Sequence, residues 1–168
     1  QLSLLESLKL AYPRAVIINA PFRALAAAKD LRIPIIVKAN IGGSGAGIVR
    51  FDSRHKLAAA VENDKLDLGI DQTALVQECI PPRGGHITRV ETLGGKYLYA
   101  IKVFTTGDTF NLCPADICQT TGGVELARSA CPIDAPRSGL RVEAFDPPLN
   151  VIRAVERIVQ AARIDVGG

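Results

Sequence analysis

The segment from Val37 to Val49 carries the clearest chemical signal in the chain, because it places a lysine, Lys38, shortly before a cluster of glycines. The cluster consists of Gly42, Gly43, Ser44, Gly45, Ala46 and Gly47. Glycine permits positive φ and close backbone approach, so several amides can point at one anion while the lysine adds charge. The pattern indicates a polyphosphate-binding loop, with a tight hairpin that binds nothing as the alternative.

Two common phosphate-binding loops do not fit this segment. A P-loop needs Lys-Ser or Lys-Thr after its last glycine and then a helix, whereas here the lysine precedes the glycines and Ile48-Val49 follow them. The glycine turn of a dinucleotide-binding fold would also open a helix. What fits is a glycine-rich flap between two strands, with Lys38 on the incoming strand.

The residues around the flap predict several strands. β-Branched runs predict strands over 16–18, 33–38, 48–51 and 75–80. Gly94-Gly95 predicts the turn of an antiparallel hairpin between strands over 87–93 and 97–104. Residues 105–146 show no sustained period and are predicted to be a long irregular segment.

Four segments also carry helix signals. The predicted starts are a capping box from Ser3 to Glu6, a first-turn proline at Pro21, a cap at Asp52 or Ser53, and the pair Asp146-Pro147. The apolar stripe of the last helix is Ile152, Val155, Val159 and Ala162. Strands and helices mixed in this way, with a hairpin, predict an α+β fold.

Composition excludes several classes of protein. The 168 residues are 48% hydrophobic and 22% charged, which argues against disorder and suits a single domain. A net charge of +3 without a basic run argues against a nucleic-acid partner. No signal peptide opens the chain and no apolar run reaches the ~18–20 residues that cross a bilayer, so we expect a soluble cytoplasmic protein without a membrane partner.

The cysteines and the two ends of the chain complete the general picture. The four cysteines form no C-x-x-C pair, so reduced thiols are expected instead of a zinc site or a disulfide scaffold. The chain contains no methionine and stops directly after an apolar run. Both features predict a fragment of a longer protein.

The order of the motifs resembles the ATP-grasp superfamily, and most closely its branch of bacterial glutamate ligases, which add amino acids to protein or peptide carboxylates. The resemblance extends from about Tyr12 to Gly168. It rests on the strand and flap from Ile35 to Gly47, on Leu75-Val76-Gln77-Glu78-Cys79-Ile80, and on Thr88-Arg89-Val90 before Tyr99-Ala100-Ile101-Lys102.

The resemblance implies an α+β ATP-grasp fold in which two small lobes with antiparallel sheet and a glycine-rich flap clamp a nucleotide between them. Residues 1–73 would form the part with the flap, and residues 74–168 the hinge and an incomplete C-terminal lobe. Together they would form one ATP-grasp domain.

The resemblance also implies roles for individual residues. Lys38 would contact the α- and β-phosphates of ATP, and the glycine cluster would close over the phosphates. Gln77, Glu78, Cys79 and Ile80 would be the hinge that reads adenine, mostly through backbone groups. Cys79 stands where the family often has an aromatic residue, and His86 lies near the place of the usual ribose-binding acid, which has no counterpart here.

Two cations on the predicted hairpin, Arg89 and Lys102, are the candidates for neutralising a γ-phosphate or an acyl phosphate, with placement on the surface as the alternative. For the irregular segment, Cys113 and Asp116 could lie near the acceptor substrate, but a buried turn with small thiols that reaches Cys118 is favoured. His55 is expected to be solvated.

The function implied by the resemblance is that of an ATP-dependent carboxylate–amine ligase with an acyl-phosphate intermediate. Its partners would be ATP, Mg²⁺, a carboxylate substrate and an amine such as an amino acid or peptide. The magnesium ligands are expected beyond Gly168, and a second phosphate-binding lysine before Gln1, so the chain itself is expected to be nearly inactive. The alternatives are a non-catalytic nucleotide-binding or regulatory module and, more remotely, an ATP-dependent kinase.

Overall fold

A computed structural model describes residues 1–41, 47–104 and 141–167. By their contacts these residues form two compact units. We call residues 13–41 and 47–81 unit A, and residues 1–12, 82–104 and 141–167 unit B. Each unit contains one four-stranded sheet whose neighbouring strands are all antiparallel.

The strands of unit A coincide with the β-branched runs, as predicted. They are β1 (Ala15–Ile18), β2 (Ile35–Ala39), β3 (Ile48–Phe51) and β4 (Ala74–Glu78), in the spatial order β1-β4-β2-β3. Because β2 and β3 are antiparallel neighbours, the glycine cluster connects two adjacent strands, which confirms the predicted strand–flap–strand arrangement. Within the cluster, residues 42–46 lie outside the described residues.

Two helices complete unit A, and both begin where the sequence predicts. A 3₁₀ turn at Pro21–Arg23 leads into α2 (Ala24–Ala28), which packs against β1 and β4. α3 (Arg54–Glu62) begins after Ser53, whose Oγ accepts a hydrogen bond from the Lys56 amide at 3.2 Å.

The core of unit A lies between these helices and one face of the sheet. Its buried members come from the helices, the strands and the segment between α3 and β4. They are Ile18, Ala24, Ala28, Leu31, Ile35, Val37, Phe51, Leu57, Leu66, Leu68, Ala74 and Val76. Side chains on one face of the sheet therefore pack against the helices, and side chains on the opposite face lie outside this core.

Unit B is built around the predicted hairpin. Its strands are β5 (His86–Leu93), β6 (Lys96–Phe104), β7 (Val142–Ala144) and β8 (Val166–Gly167), in the order β7-β6-β5-β8. Gly94 and Gly95 form the turn with φ of 58° and 73°, and glycine adopts such positive values without strain. The sequence did not predict β7 and β8, since strands of three and two residues are too short to show a period.

The helices of unit B start at different residues from those predicted. α1 (Leu2–Ser7) starts after Gln1 without a side-chain cap, so the capping box from Ser3 to Glu6 is wrong. The Leu5 amide already donates to the Gln1 carbonyl at 3.0 Å, which places Ser3 inside the helix.

α4 (Leu149–Ala161) starts after Pro148 and not after Asp146. The physical reason is that Pro147 precedes a second proline, and a residue before proline is disfavoured in helical conformation. The apolar stripe is confirmed, with Val159 buried. Gln160 and Arg157 on the polar side donate to the carbonyls of Gly95 and Leu8, each at 2.9 Å.

The expected division into residues 1–73 and 74–168 stays a prediction. β4 begins at Ala74 and pairs with both β1 and β2, so it belongs to the sheet of unit A. Among the described residues, the chain passes between the units after Tyr12 and again after Pro81. Among residues 1–41, 47–104 and 141–167, no helix has both the length and the apolar character needed to span a membrane.

We expect Leu57→Ala to lower the free energy of unfolding by about 2–5 kcal/mol, because Leu57 is 0% exposed and its removal leaves a cavity. Leu25→Ala is the matched control, since Leu25 lies on α2 with 40% of its surface exposed, and its effect should stay within about 0.5 kcal/mol. Urea unfolding followed by circular dichroism measures both. Equal effects of the two substitutions would contradict the core described above.

Candidate functional site

Lys38 lies on the face of the unit A sheet that does not pack against the helices. Ile35 and Val37 of the same strand are buried in the core, so the alternation of a β-strand turns Lys38 to the opposite face. Its partners across the neighbouring strands are Ile48 and Leu75, both half-buried. The side chain of Lys38 therefore lies between apolar side chains on this face of the sheet.

The electrostatic surroundings of Lys38 favour an anionic ligand. The side chain is half-buried, and this burial lowers the pKa of its ammonium group. Among the described residues, no carboxylate lies within ion-pairing distance of it. A partly desolvated cation without a counterion would be stabilised by a phosphate group.

The start of the flap is anchored to the segment before β4. The Asn40 amide donates to the Thr73 carbonyl at 2.8 Å, and the Asn40 side chain donates from Nδ2 to Oδ2 of Asp71 at 2.7 Å. At the other end, Gly47 has φ of 67° immediately before β3. The phosphate role of Gly42, Gly43, Ser44, Gly45, Ala46 and Gly47 stays a prediction.

The four predicted hinge residues lie at the end of β4. Gln77 and Glu78 are its last two residues, and Cys79 and Ile80 follow directly. The Cys79 amide donates to the Pro34 carbonyl at 2.9 Å, whereas no described residue accepts from the Ile80 amide. One backbone donor is thus available at the strand end.

The side chain of Glu78 is engaged within unit A. It is 2% exposed and accepts three hydrogen bonds from Arg32: from the backbone amide at 3.0 Å, from Nε at 3.2 Å and from Nη2 at 2.9 Å. Side-chain and backbone hydrogen bonds from Arg32 hold the pKa of the Glu78 carboxyl below its ordinary value, although burial opposes them. The contribution of Glu78 to a ligand is therefore limited to its backbone.

Sequence reasoning missed Arg32. The pair is separated by 46 residues, and no local spacing connects a loop arginine to the end of a distant strand. The only sequence signal was an acidic residue at a buried position of β4, which requires a partner.

Arg89 and Lys102 do not share a face of the hairpin. Arg89 lies opposite Ile101, and Lys102 lies opposite Thr88, so the two cations are on opposite faces of the β5–β6 pair. Nη2 of Arg89 pairs with Oε1 of Glu91 at 3.0 Å. A single ligand on one face of this sheet would reach one of the two cations and not both.

The other face has its own aromatic contacts. Nζ of Lys102 lies 4.4 Å from the ring centroid of Phe145, a cation–π contact. The His86 ring lies 5.3 Å from that of Phe104, centroid to centroid. Lys102 is thus engaged with an aromatic ring and Arg89 with a carboxylate, on opposite faces of the hairpin.

The described residues do not provide a metal site. None of the His, Cys, Asp and Glu side chains in residues 1–41, 47–104 and 141–167 form a group of three or more that could hold an ion. Magnesium usually takes one or two carboxylates together with substrate phosphates, and the ligands expected beyond Gly168 stay a prediction. Cys79 is a free, half-buried thiol. Cys113, Asp116 and Cys118 lie outside the described residues.

Comparison with known proteins supports the fold. No protein-family model and no curated protein matches the chain. A solved structure of the ATP-grasp ligase PsnB with minimal precursor is similar at a TM-score of 0.60 and 18% identity, over 98% of this chain and 43% of PsnB. The D-cycloserine synthetase DcsG is similar at 0.59 and 17% identity, over 98% of this chain and 52% of DcsG.

A third similar structure is the VanG D-Ala:D-Ser ligase from Enterococcus faecalis, with a TM-score of 0.58 and 18% identity over 95% of this chain and 42% of VanG. Likeness at such low identity establishes the fold, and the chain has the ATP-grasp fold. It spans about half or less of each of these ligases.

We expect the Glu78–Arg32 pair to make stability depend on pH. The pKa of Glu78 is lowered in the folded chain, so the pair stabilises fully above the unfolded pKa of about 4.3, and this contribution is lost as the pH falls through the folded pKa. Glu78→Gln should therefore melt below the wild-type chain at about pH 7, with a gap that narrows towards about pH 3.

Thermal unfolding across this pH range measures the gap. Asp52→Asn is the control, because Asp52 forms an exposed ion pair with Arg50 at 2.8 Å, and such pairs contribute little. A gap for Glu78→Gln that stays constant with pH would contradict the assigned ion pair.

Proposed function

We propose that the chain is the ATP-binding part of an ATP-dependent carboxylate–amine ligase. The observation that carries the proposal is Lys38, a half-buried ammonium without a described counterion, located directly before a glycine-rich flap. Its fold is that of solved ATP-grasp ligases, and one PsnB structure contains minimal precursor, Mg and ADP. A cytoplasmic location, where ATP is supplied, is part of the same proposal.

In this proposal the residues of unit A bind the nucleotide. Lys38 neutralises the α- and β-phosphates, and amides of residues 42–47 close over the phosphates. At the end of β4, the Ile80 amide donates to the acceptor nitrogen on the edge of adenine. Gln77, Glu78 and Cys79 contribute the backbone that brings this amide into place.

The proposed reaction has two steps. A carboxylate oxygen of the acceptor attacks the γ-phosphorus of ATP, the bond from that phosphorus to the bridging oxygen breaks, and ADP leaves. The amine then attacks the carbonyl carbon of the acyl phosphate, inorganic phosphate leaves with the bonding electrons, and the amine gives up a proton to form the amide. Catalysis of this kind relies on positioning and electrostatic stabilisation.

In unit B, Arg89 is the proposed candidate for stabilising the acyl phosphate. It is half-buried and held by Glu91, and a guanidinium matches phosphate oxygens in geometry. Lys102 is the second candidate named by the sequence, and it lies beside the Phe145 ring on the other face. Magnesium, whose ligands are expected beyond Gly168, would neutralise charge on the phosphates when bound.

The finer proposal concerns the substrates. The order of the motifs favours a glutamate-ligase-like enzyme, whose amine is an amino acid and whose carboxylate belongs to a protein or peptide. Among the similar structures, PsnB has been solved with a precursor peptide, and VanG is a D-Ala:D-Ser ligase. Both support the general class of carboxylate and amine substrates.

We expect saturating Mg-ATP to stabilise the chain against thermal unfolding. A ligand at about one hundred times its dissociation constant that binds only the folded state adds ~2.7 kcal/mol. Lys38→Ala should abolish most of the shift, because it removes the cation that meets the phosphates. Lys56→Ala on α3 is the control: Lys56 is exposed, and the full shift should persist.

Differential scanning calorimetry with and without Mg-ATP measures these shifts. A folded wild-type chain without a shift, or an equal shift in Lys38→Ala, would contradict the proposed nucleotide site.

A further inference from the structure

We infer that Arg32 and Glu78 are positioning residues that fix the Ile80 amide and thereby set the preference of the site for adenine. The inference rests on the proposed function, because a fixed amide at this place matters only if the end of β4 reads a base. Neither side chain is inferred to touch the nucleotide. Their effect is transmitted through the two residues that follow Glu78 in the chain.

The pair adds side-chain bonds at the point where β2 and β4 begin to pair, since Glu78 lies opposite Ile35 in the sheet. Arg32 lies in the connection between α2 and β2, and Glu78 is the last residue of β4. Both carboxylate oxygens of Glu78 are used, Oε1 by the Arg32 backbone amide and Oε2 by the guanidinium. A second arginine, Arg14, reaches Oε1 with Nη1 at 3.9 Å.

The backbone around Glu78 is held from both sides. Its amide donates to the Arg14 carbonyl, and the Cys79 amide donates to the Pro34 carbonyl, each at 2.9 Å. These are the last such bonds before Ile80, whose amide has no described acceptor. The direction of the Ile80 amide is therefore set by how firmly residues 78 and 79 are fixed.

Side-chain packing does not fix the backbone position of Ile80. Ile80 is 59% exposed, so no core contact defines its position. The end of a strand frays more easily than its middle, because fewer hydrogen bonds hold it. A carboxylate that accepts three hydrogen bonds fixes distance and direction together, which apolar contacts do not.

Glu78 is also 2% exposed, so the desolvation of its carboxylate offsets part of its attraction to Arg32. An apolar residue at position 78 would continue the buried side of β4, on which Ala74 and Val76 already pack into the core. The charge at position 78 is therefore explained better by the fixed backbone position that it gives to residues 78 and 79 than by a gain in folding stability.

The chemistry of the base provides a selective probe. At ring position N1 of the base, adenine has a hydrogen-bond acceptor, whereas hypoxanthine, the base of ITP, has an N–H donor. A backbone amide that donates to this position therefore forms a hydrogen bond with ATP. It disfavours ITP, because in that complex two donors face each other. Inorganic tripolyphosphate has no base at all, so it reports the phosphate contacts alone.

The experiment measures the affinities of ATP, ITP and tripolyphosphate for the full chain by isothermal titration calorimetry. The wild-type chain should prefer ATP over ITP by about tenfold or more. Arg32→Ala should lower this ratio towards one and leave the affinity for tripolyphosphate unchanged. The Arg32 side chain is 80% exposed, so the substitution removes the two guanidinium bonds to Glu78 without opening a core cavity, while the amide of residue 32 and Arg14 stay in place.

Two further variants separate positioning from folding. Arg32→Lys keeps the charge but not the forked geometry, so the ATP/ITP ratio should be intermediate; this variant also serves if Arg32→Ala fails to fold. Ser53→Ala removes the cap of α3 and lowers the melting temperature without touching the pair. It should melt earlier and retain the full ratio.

The outcomes distinguish the inference from the proposed function. A folded wild-type chain that binds neither ATP nor tripolyphosphate overturns the proposed function, and the inference with it. A wild-type chain that binds ATP and ITP equally overturns the base-reading amide alone. If the ratio is high in the wild-type chain and stays high in Arg32→Ala, nucleotide binding stands and the positioning role is wrong.

Discussion

The alternation of β2 is the constraint on which the rest of unit A depends. Ile35 and Val37 lie in the core with residues of α2 and α3, so the side chain of Lys38 is on the opposite face of the sheet. A shift of the strand register by one residue would place the lysine in the core and turn the core side chains outwards. The same strand thus anchors the unit and presents a desolvated cation beside Ile48 and Leu75. The unfavourable burial of that charge is offset by the packing on the opposite face.

The end of β4 also contains a buried charge, the carboxylate of Glu78. There the buried charge is paired with Arg32 and fully hydrogen-bonded, and the backbone beyond it is left with a donor at Ile80. In unit A the buried Glu78 carboxylate is therefore compensated, whereas the half-buried Lys38 ammonium has no counterion among the described residues. Under the proposed function, the first charge would fix the geometry of the hinge and the second would attract an anion.

Most of the fold of unit A and the hairpin of unit B could be predicted, because β-branched runs and the Gly94-Gly95 turn act over a few neighbouring residues. Lys38 was found for the same reason, since it adjoins the glycines. Arg32 could not be found, because its partner is distant in sequence. The opposite faces of Arg89 and Lys102 depend on the strand register, which composition and spacing do not determine.

The most direct test of the account is the pKa of Lys38, measured by NMR on a chain with isotope-labelled lysine and assigned with Lys38→Arg. We expect a pKa below the ordinary lysine value in the free chain, because the ammonium group is half-buried, and a rise in this pKa when ATP is added, because the phosphates stabilise the ammonium. An ordinary pKa in the free chain that does not move with ATP would contradict it.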